Sequence, residues 1–339
     1  MKQIVLALCV LHTVLLFGQD TLEVASKWSG NRPDGHAPIS VMGDHVHGKG
    51  GFMLSYRYMS MNMEDLRKGN DDVSVPEVLE AYMVTPVKMP MRMHMLGAMY
   101  APTDRLTLMG MVSVVSMEMD HITRMGMTFT TESSGFGDVQ LSGLYKFFNK
   151  NHQVFHGKLG LSLPTGSIQE TDVTPASSPD AVILPYPMQL GSGTLDLSAG
   201  LTYLWQDENL SGGHQLNGLF RTGKNNKDYR LGNRYGLQNW VAYKVLDWLS
   251  FSARVEGLLV SKLEGANPDL NPMMVITADT ANFGGTYVNG GLGFNVYVPK
   301  GALKNMRFGF EIAQPLLQDV EGVQLKRKES LVGGVQYAF

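Results

Sequence analysis

The chain has 339 residues, with 28 basic and 31 acidic side chains and a net charge of -3, which argues against nucleic acid as a partner. Its 38 glycines and a charged fraction of only 17% fit a soluble globular protein poorly. The single cysteine, Cys9, excludes an internal disulfide, so an exported form must gain its stability in another way.

The first element is a leader. Lys2 supplies a positive start, "IVLALCVLHTVLLF" is an apolar core, and Gly18–Gln19 is the expected cleavage point, so residues 1–18 read as a signal peptide. Cys9 lies inside it, and the Ala7-Leu8 that precedes it does not suit a lipoprotein signal. Residues 19–50 lack strand periodicity and are rich in Gly, Pro, His and Asp, so they read as a periplasmic extension or a small plug. Beyond residue 18 no apolar run approaches the roughly 20 residues of a membrane helix, so any crossing must be made by strands.

From residue 51 to 339 alternation and turn residues predict about twelve strands, at 52–61, 91–101, 105–117, 137–148, 153–164, 192–205, 213–222, 234–245, 248–260, 285–298, 305–314 and 329–339. Their connections alternate in length. Short links at 102–104, 149–151, 206–212, 246–247 and 299–304 are interleaved with long polar links at 62–90, 118–136, 165–191, 223–233, 261–284 and 315–328. That pattern predicts an all-β fold: a monomeric, transmembrane, antiparallel up-and-down β-barrel with its long loops outside and both termini in the periplasm. The first long link contains "DVSVPEVLEAYMVTP", which fits a turn or two of helix, either on the rim or folded into the lumen.

The two faces of each strand agree with a barrel in lipid. Leu249, Phe251, Ala253 and Val255 alternate with Ser250, Ser252, Arg254 and Glu256, and Met306, Phe308, Phe310 and Ile312 oppose Arg307 and Glu311. Backbone groups in hydrocarbon have no water to bond, so a closed barrel, apolar outside and polar inside, is the solution open to strands. Arg57, Arg254, Glu256, Arg307 and Glu311 are therefore expected in the lumen, as pairs or as contacts for a small solute. The final "LVGGVQYAF" puts Leu331, Val335, Tyr337 and Phe339 on one face; a terminal Phe in this setting resembles the signal read by the barrel assembly machinery, which with outer-membrane lipid would be a partner.

Several segments carry a resemblance. "MGDHVHGKGGFMLSYRYMSMNMEDLRKG", "MHMLGAMYAPTDRLTLMGMV", "FGDVQLSGLYKFF" and "GKLGLSLPTGS" are similar to the transporter-like outer-membrane barrels named for a MetA pathway of phenol degradation. The resemblance spans most of the mature chain, and "APTDRLTL", "GFGDV" and "LPTG" are its sharpest pieces. It implies a channel or uptake barrel in the outer membrane of a Gram-negative bacterium, and little about the cargo.

The methionines depart from that pattern and resemble instead copper-resistance proteins of the outer membrane. Of 22, 17 fall between Met42 and Met127. Met53, Met59 and Met61 share parity with Arg57, and Met109, Met111, Met117 and Met119 oppose Leu106, Leu108, Val112 and Val114, so both sets are expected inside. Met91, Met93, Met95 and Met99 oppose Leu96, Ala98 and Tyr100, with Arg92 and His94 on the latter face. Three readings stand open: a flexible apolar lining, a surface that absorbs oxidant, and a copper site. Thioethers select Cu(I), and His45, His47, His94 and His121 would complete such sites, though as two separate sites and not one. His152, His156 and His214 lie at turns and strand starts and are expected on the surface. Catalysis is not expected. No histidine is followed two places on by serine, as barrel phospholipases require, and Asp71-Asp72 and Asp120-His121 are adjacent pairs that would point to opposite faces of a strand.

Overall fold

The computed structural model describes residues 28–339, so the predicted leader and cleavage point lie outside the described residues. Eleven extended segments form the wall: β1 Phe52–Gly69, β2 Val84–Tyr100, β3 Leu106–Thr123, β4 Val139–Lys150, β5 Gln153–Leu163, β6 Asp196–Gln206, β7 Leu210–Arg221, β8 Arg234–Leu246, β9 Leu249–Val260, β10 Gly285–Tyr297 and β11 Met306–Ala338. Each pairs antiparallel with the next, and β11 pairs with both β10 and β1, which closes the sheet and leaves no edge.

At 33 residues β11 would run about 110 Å if straight, at roughly 3.3 Å per residue, far more than a membrane needs. It doubles back instead. Arg307–Val320 pairs with β10, and Val320–Ala338 pairs in the opposite sense with β1, from Gly69↔Val320 to Met53↔Ala338. The reversal lies at Gly322, whose φ of 62° is left-handed and whose Cβ, if present, would fall 2.2 Å from the Asn282 amide oxygen. β11 thus supplies two crossings, making twelve in all. The expected loop at 315–328 is itself strand.

The walls are also taller than expected. β1, β2 and β3 have 18, 17 and 18 residues, against the 9–11 that cross a bilayer, so strand consumes much of the predicted links at 62–90 and 118–136. Two short strands add to the sheet outside the ring. Asp71–Val73 pairs with β1, and Thr128–Phe136 pairs with the upper half of β3 while β4 takes its lower half. Between those two segments, at Gly137–Asp138, the wall is interrupted. The Asp138 carboxylate bridges the interruption, accepting from the N–H of Gly166 and from both N–H and Oγ of Ser192.

The faces follow the alternation in the sequence. Outside, Leu96, Leu159 and Leu292 are 58%, 73% and 65% exposed, as lipid-facing side chains must be in an isolated chain. A bulge in β1, with Asp65 in the left-handed region and its carboxylate on Lys328, turns Leu66 inward after the odd-numbered series that ends at Met63. At that end Leu66 packs with Val78 of the short helix α1, Val75–Ala81, and with Ile276 of the β9–β10 loop. Ser74 caps α1 by accepting from Glu77 N–H, and the helix lies on the rim.

Protease added to intact cells should cut within the connections 164–195 or 261–284, and not at 101–105, 151–152 or 247–248. Mass spectrometry of the released peptides reads the outcome, and cleavage at the short turns would invert the topology.

Candidate functional site: the filled lumen

Residues 28–47 fill the barrel, and the exposed Gly48–Gly50 turn leads from them into β1. The filling segment has Pro33, Pro38 and several glycines and no helix or strand, so beyond turns such as Gly35 N–H to Arg32 O and Val41 N–H to Pro38 O its carbonyls need partners elsewhere. The wall satisfies them. Arg57 Nε donates to Ile39 O at 3.0 Å, and Arg307 donates to Pro33 O, Gly30 O and Arg32 O at 2.9, 2.8 and 2.9 Å. Ser211 Oγ donates to Asp34 O at 2.6 Å, Gln215 Nε2 to Met42 O at 3.1 Å, and His156 Nε2 to Gly43 O at 3.0 Å. Ile39, Val41 and Ala37 of the segment are buried, and Ala37 and Val41 pack on Val154, Leu204 and Trp240 of the wall. The segment is a plug, anchored near the short-turn end through Trp28 N–H to Asn149 and Ser29 N–H to Gln206.

The five residues expected in the lumen all face it. Arg57 and Arg307 hold the plug as above, and Glu311 accepts from Ser40 Oγ of the plug at 2.7 Å. Glu311 also pairs with Arg254 at 2.6 Å, while Arg254 reaches Glu256 at 3.5 Å and Asn289 donates to Glu256 at 2.9 Å. Three of the five thus bind the chain's own plug and leave no free charged groove at that level.

Above the plug the filling changes from polar to apolar. Met89, Met117 and Met119 are buried with Val115, and with Leu184 and Met188 of the β5–β6 connection, which folds inward; Met63, Met91, Met93 and Leu190 pack around them. Met59, Met61 and Met111 share the inward parity of their strands. Lower down, Met53, Met99 and Met109 pack with Val46 of the plug. The inward methionines therefore form two packed layers.

The four expected histidines are not brought together. His45 and His47 are in the plug. His121 lies high on β3, buried and stacked on Phe129 at 4.7 Å. His94 points outward on β2, where its Nδ1 meets the Tyr56 hydroxyl at 2.8 Å and its ring lies 5.1 Å from Tyr58, so it cannot join a lumen site. Arg92 shares that face and pairs with Glu118. The parity that takes Met91 and Met93 inward puts both basic residues outside.

His156 corrects the surface expectation, because it is fully buried in the lumen. The signal was its parity: it alternates with Phe155, Leu159 and Leu161 and shares a face with Val154, Lys158 and Ser162. The sequence reading also passed over His36. It stacks on His45 at a centroid distance of 4.0 Å, and His45 meets His47 edge-on at 4.9 Å. Asp44 Oδ1 accepts from His45 Nδ1 at 2.9 Å, and its other oxygen accepts from Ala37 N–H at 3.0 Å. Burial holds His36 well below the usual imidazole value and pushes His47 down to about 3. Both rings are neutral at pH 7, with a lone pair available on each.

With the barrel and its filling described, the comparisons are direct. Residues 100–269, half of the chain, match the family described as "Putative MetA-pathway of phenol degradation". The chain belongs to that family. Among solved structures it is similar to an outer-membrane channel from Pseudomonas putida F1, with 14% identity and a TM-score of 0.60 over 89% of this chain and 100% of that one. A FadL homologue from Pseudomonas aeruginosa follows at 8% identity and a TM-score of 0.44, covering 93% and 98% of the two chains. At these identities the likeness is one of fold, that of the outer-membrane barrel. No curated protein matches the sequence.

Proposed function

We propose that this family member is an outer-membrane channel for a small apolar or aromatic solute. The observation that carries the reading is the methionine layer above the plug, where Met89, Met117 and Met119 meet Leu184 and Met188. Thioether side chains are unbranched and polarizable, and they repack around guests of irregular shape at little cost. Repacking of this layer would open a mostly apolar chamber with Arg254, Glu256 and Glu311 as its fixed polar groups, the usual make-up of a small-molecule site. The family's association with phenol breakdown agrees with such a cargo.

In this reading the inward-folded connection with Leu184, Met188 and Leu190 is the lid of the chamber. Replacing Leu184 and Met188 by serine should raise uptake of a labelled monoaromatic compound such as phenol into proteoliposomes severalfold over the unmodified barrel. Protein-free vesicles set the baseline. Uptake at that baseline for both proteins, together with unchanged growth on aromatic substrates after gene deletion, would instead make this a structural barrel.

A further inference from the structure

We propose that His36, His45 and His47 of the plug form a binding site for one divalent late-transition-metal ion, such as Zn2+, Ni2+ or Cu2+. The site is distinct from the solute chamber and uses nitrogen, not sulfur. Three observations carry it.

The first is proximity. One nitrogen each from His36 and His45 and a carboxylate oxygen of Asp44 lie within 4.8 Å of one another. Two imidazole nitrogens on a tetrahedral ion, each bound at about 2.0–2.1 Å, sit about 3.4 Å apart, so binding would draw the His36 and His45 rings together by side-chain adjustment. The His47 ring lies edge-on to His45 at 4.9 Å, and in the proposed site it would turn its Nε2 toward the ion.

The second is unused donor capacity. His36 Nδ1, His45 Nε2 and His47 Nε2 are buried and meet no hydrogen-bonding group of the protein. Three such atoms on neighbouring rings form a local concentration of nitrogen donors, which a bound ion would satisfy together.

The third is orientation. Asp44 fixes the His45 tautomer by accepting a hydrogen bond from Nδ1–H, which leaves the lone pair on Nε2. A carboxylate behind an imidazole is the usual outer support of a metal-bound histidine, and Asp44 is itself held by Ala37 N–H. The rings border a cavity of about 300 Å³, lined also by Trp28, Asn149 and Tyr297 near the short turns, which offers an entry path and room for a fourth ligand such as water.

The donor set decides the class of ion. Imidazole suits the borderline divalent ions, whereas Cu(I) would prefer the thioethers of Met53 and Met109 on the neighbouring wall. Bound metal would tie residue 36 to residues 45 and 47, stapling the two limbs of the plug.

The test uses the mature protein in detergent, stripped with a chelator and dialysed against Zn2+, with metal counted by mass spectrometry. One ion per chain is expected. His36→Ala and His47→Ala should each lower the affinity at least tenfold, and Asp44→Asn should lower it by about 10–100-fold through the lost support of His45. His94→Ala, on the outer face, should leave it unchanged. Heat-modifiable migration checks that each variant is folded, and the Cu2+-loaded protein should show nitrogen hyperfine splitting that is reduced in His36→Ala. The proposal is overturned if the wild type retains no ion, or if binding survives His36→Ala and His47→Ala. It is equally overturned if binding is lost only on Met53→Leu or Met109→Leu.

Discussion

A barrel from which residues 28–48 have been removed should conduct ions in planar bilayers at least about tenfold more than the intact chain, because eight-stranded barrels are filled by their own side chains while sixteen strands leave a water channel. Twelve crossings fall between these limits, and here the plug takes up the space that the wall side chains leave. The wall groups it satisfies, Arg57, His156, Ser211, Gln215 and Arg307, would then face water instead of a dry interior, so the ring should still close. Unchanged conductance in a folded deletion variant would place the seal in the methionine layer above.

The second large effect concerns Arg254 and Glu311, whose side chains are 6% and 1% exposed at a separation of 2.6 Å. Glu311→Ala removes the carboxylate from a buried guanidinium and takes the acceptor from Ser40 Oγ. The nearest remaining anion, Glu256, is 3.5 Å from Arg254 and more exposed. Breaking a buried pair on one side costs about 3–5 kcal/mol, and residual Glu256 puts this case near the lower figure. Urea unfolding in detergent, followed by the loss of heat-modifiable migration, measures it. The double variant Arg254→Met/Glu311→Leu should recover most of the loss; if it does not, the two side chains contribute mainly through their plug contacts.

Much of the architecture could be read from alternation because a barrel wall is a one-dimensional problem: each residue faces in or out, and arginine, glutamate and glycine avoid or break the outer face in recognisable ways. Arg57, Arg254, Arg307 and Glu311 were legible for that reason. His94 is different: its parity puts it on the outer face, and only its place among the methionines in sequence suggests a lumen ligand. The heights of β1, β2 and β3 were hidden because strand above the membrane is polar on both faces and loses the contrast on which the reading depends. The plug was the least legible part. Its order comes from wall groups far away in the chain, so no local periodicity announces it, and His36 gains its place beside His45 only through that fold.

The plug also has a consequence for how the protein is made. Its partners are late in the chain: Ser29 bonds to a residue 177 positions on, and Gly30 to Arg307, 277 positions on. Contacts of such range are formed late on a folding route, because chain entropy must be spent before they return anything. The N-terminal plug is therefore expected among the last segments to find its seat, since Arg307 and Glu311 belong to β11, the same segment that seals the ring against β1. Each further doubling of the intervening loop adds only about 0.6 kcal/mol, so the delay is one of sequence and not of cost. On that order the barrel should close while still hollow and hydrated, its wall arginines wet, and seating the N-terminal segment would be the step that dries it.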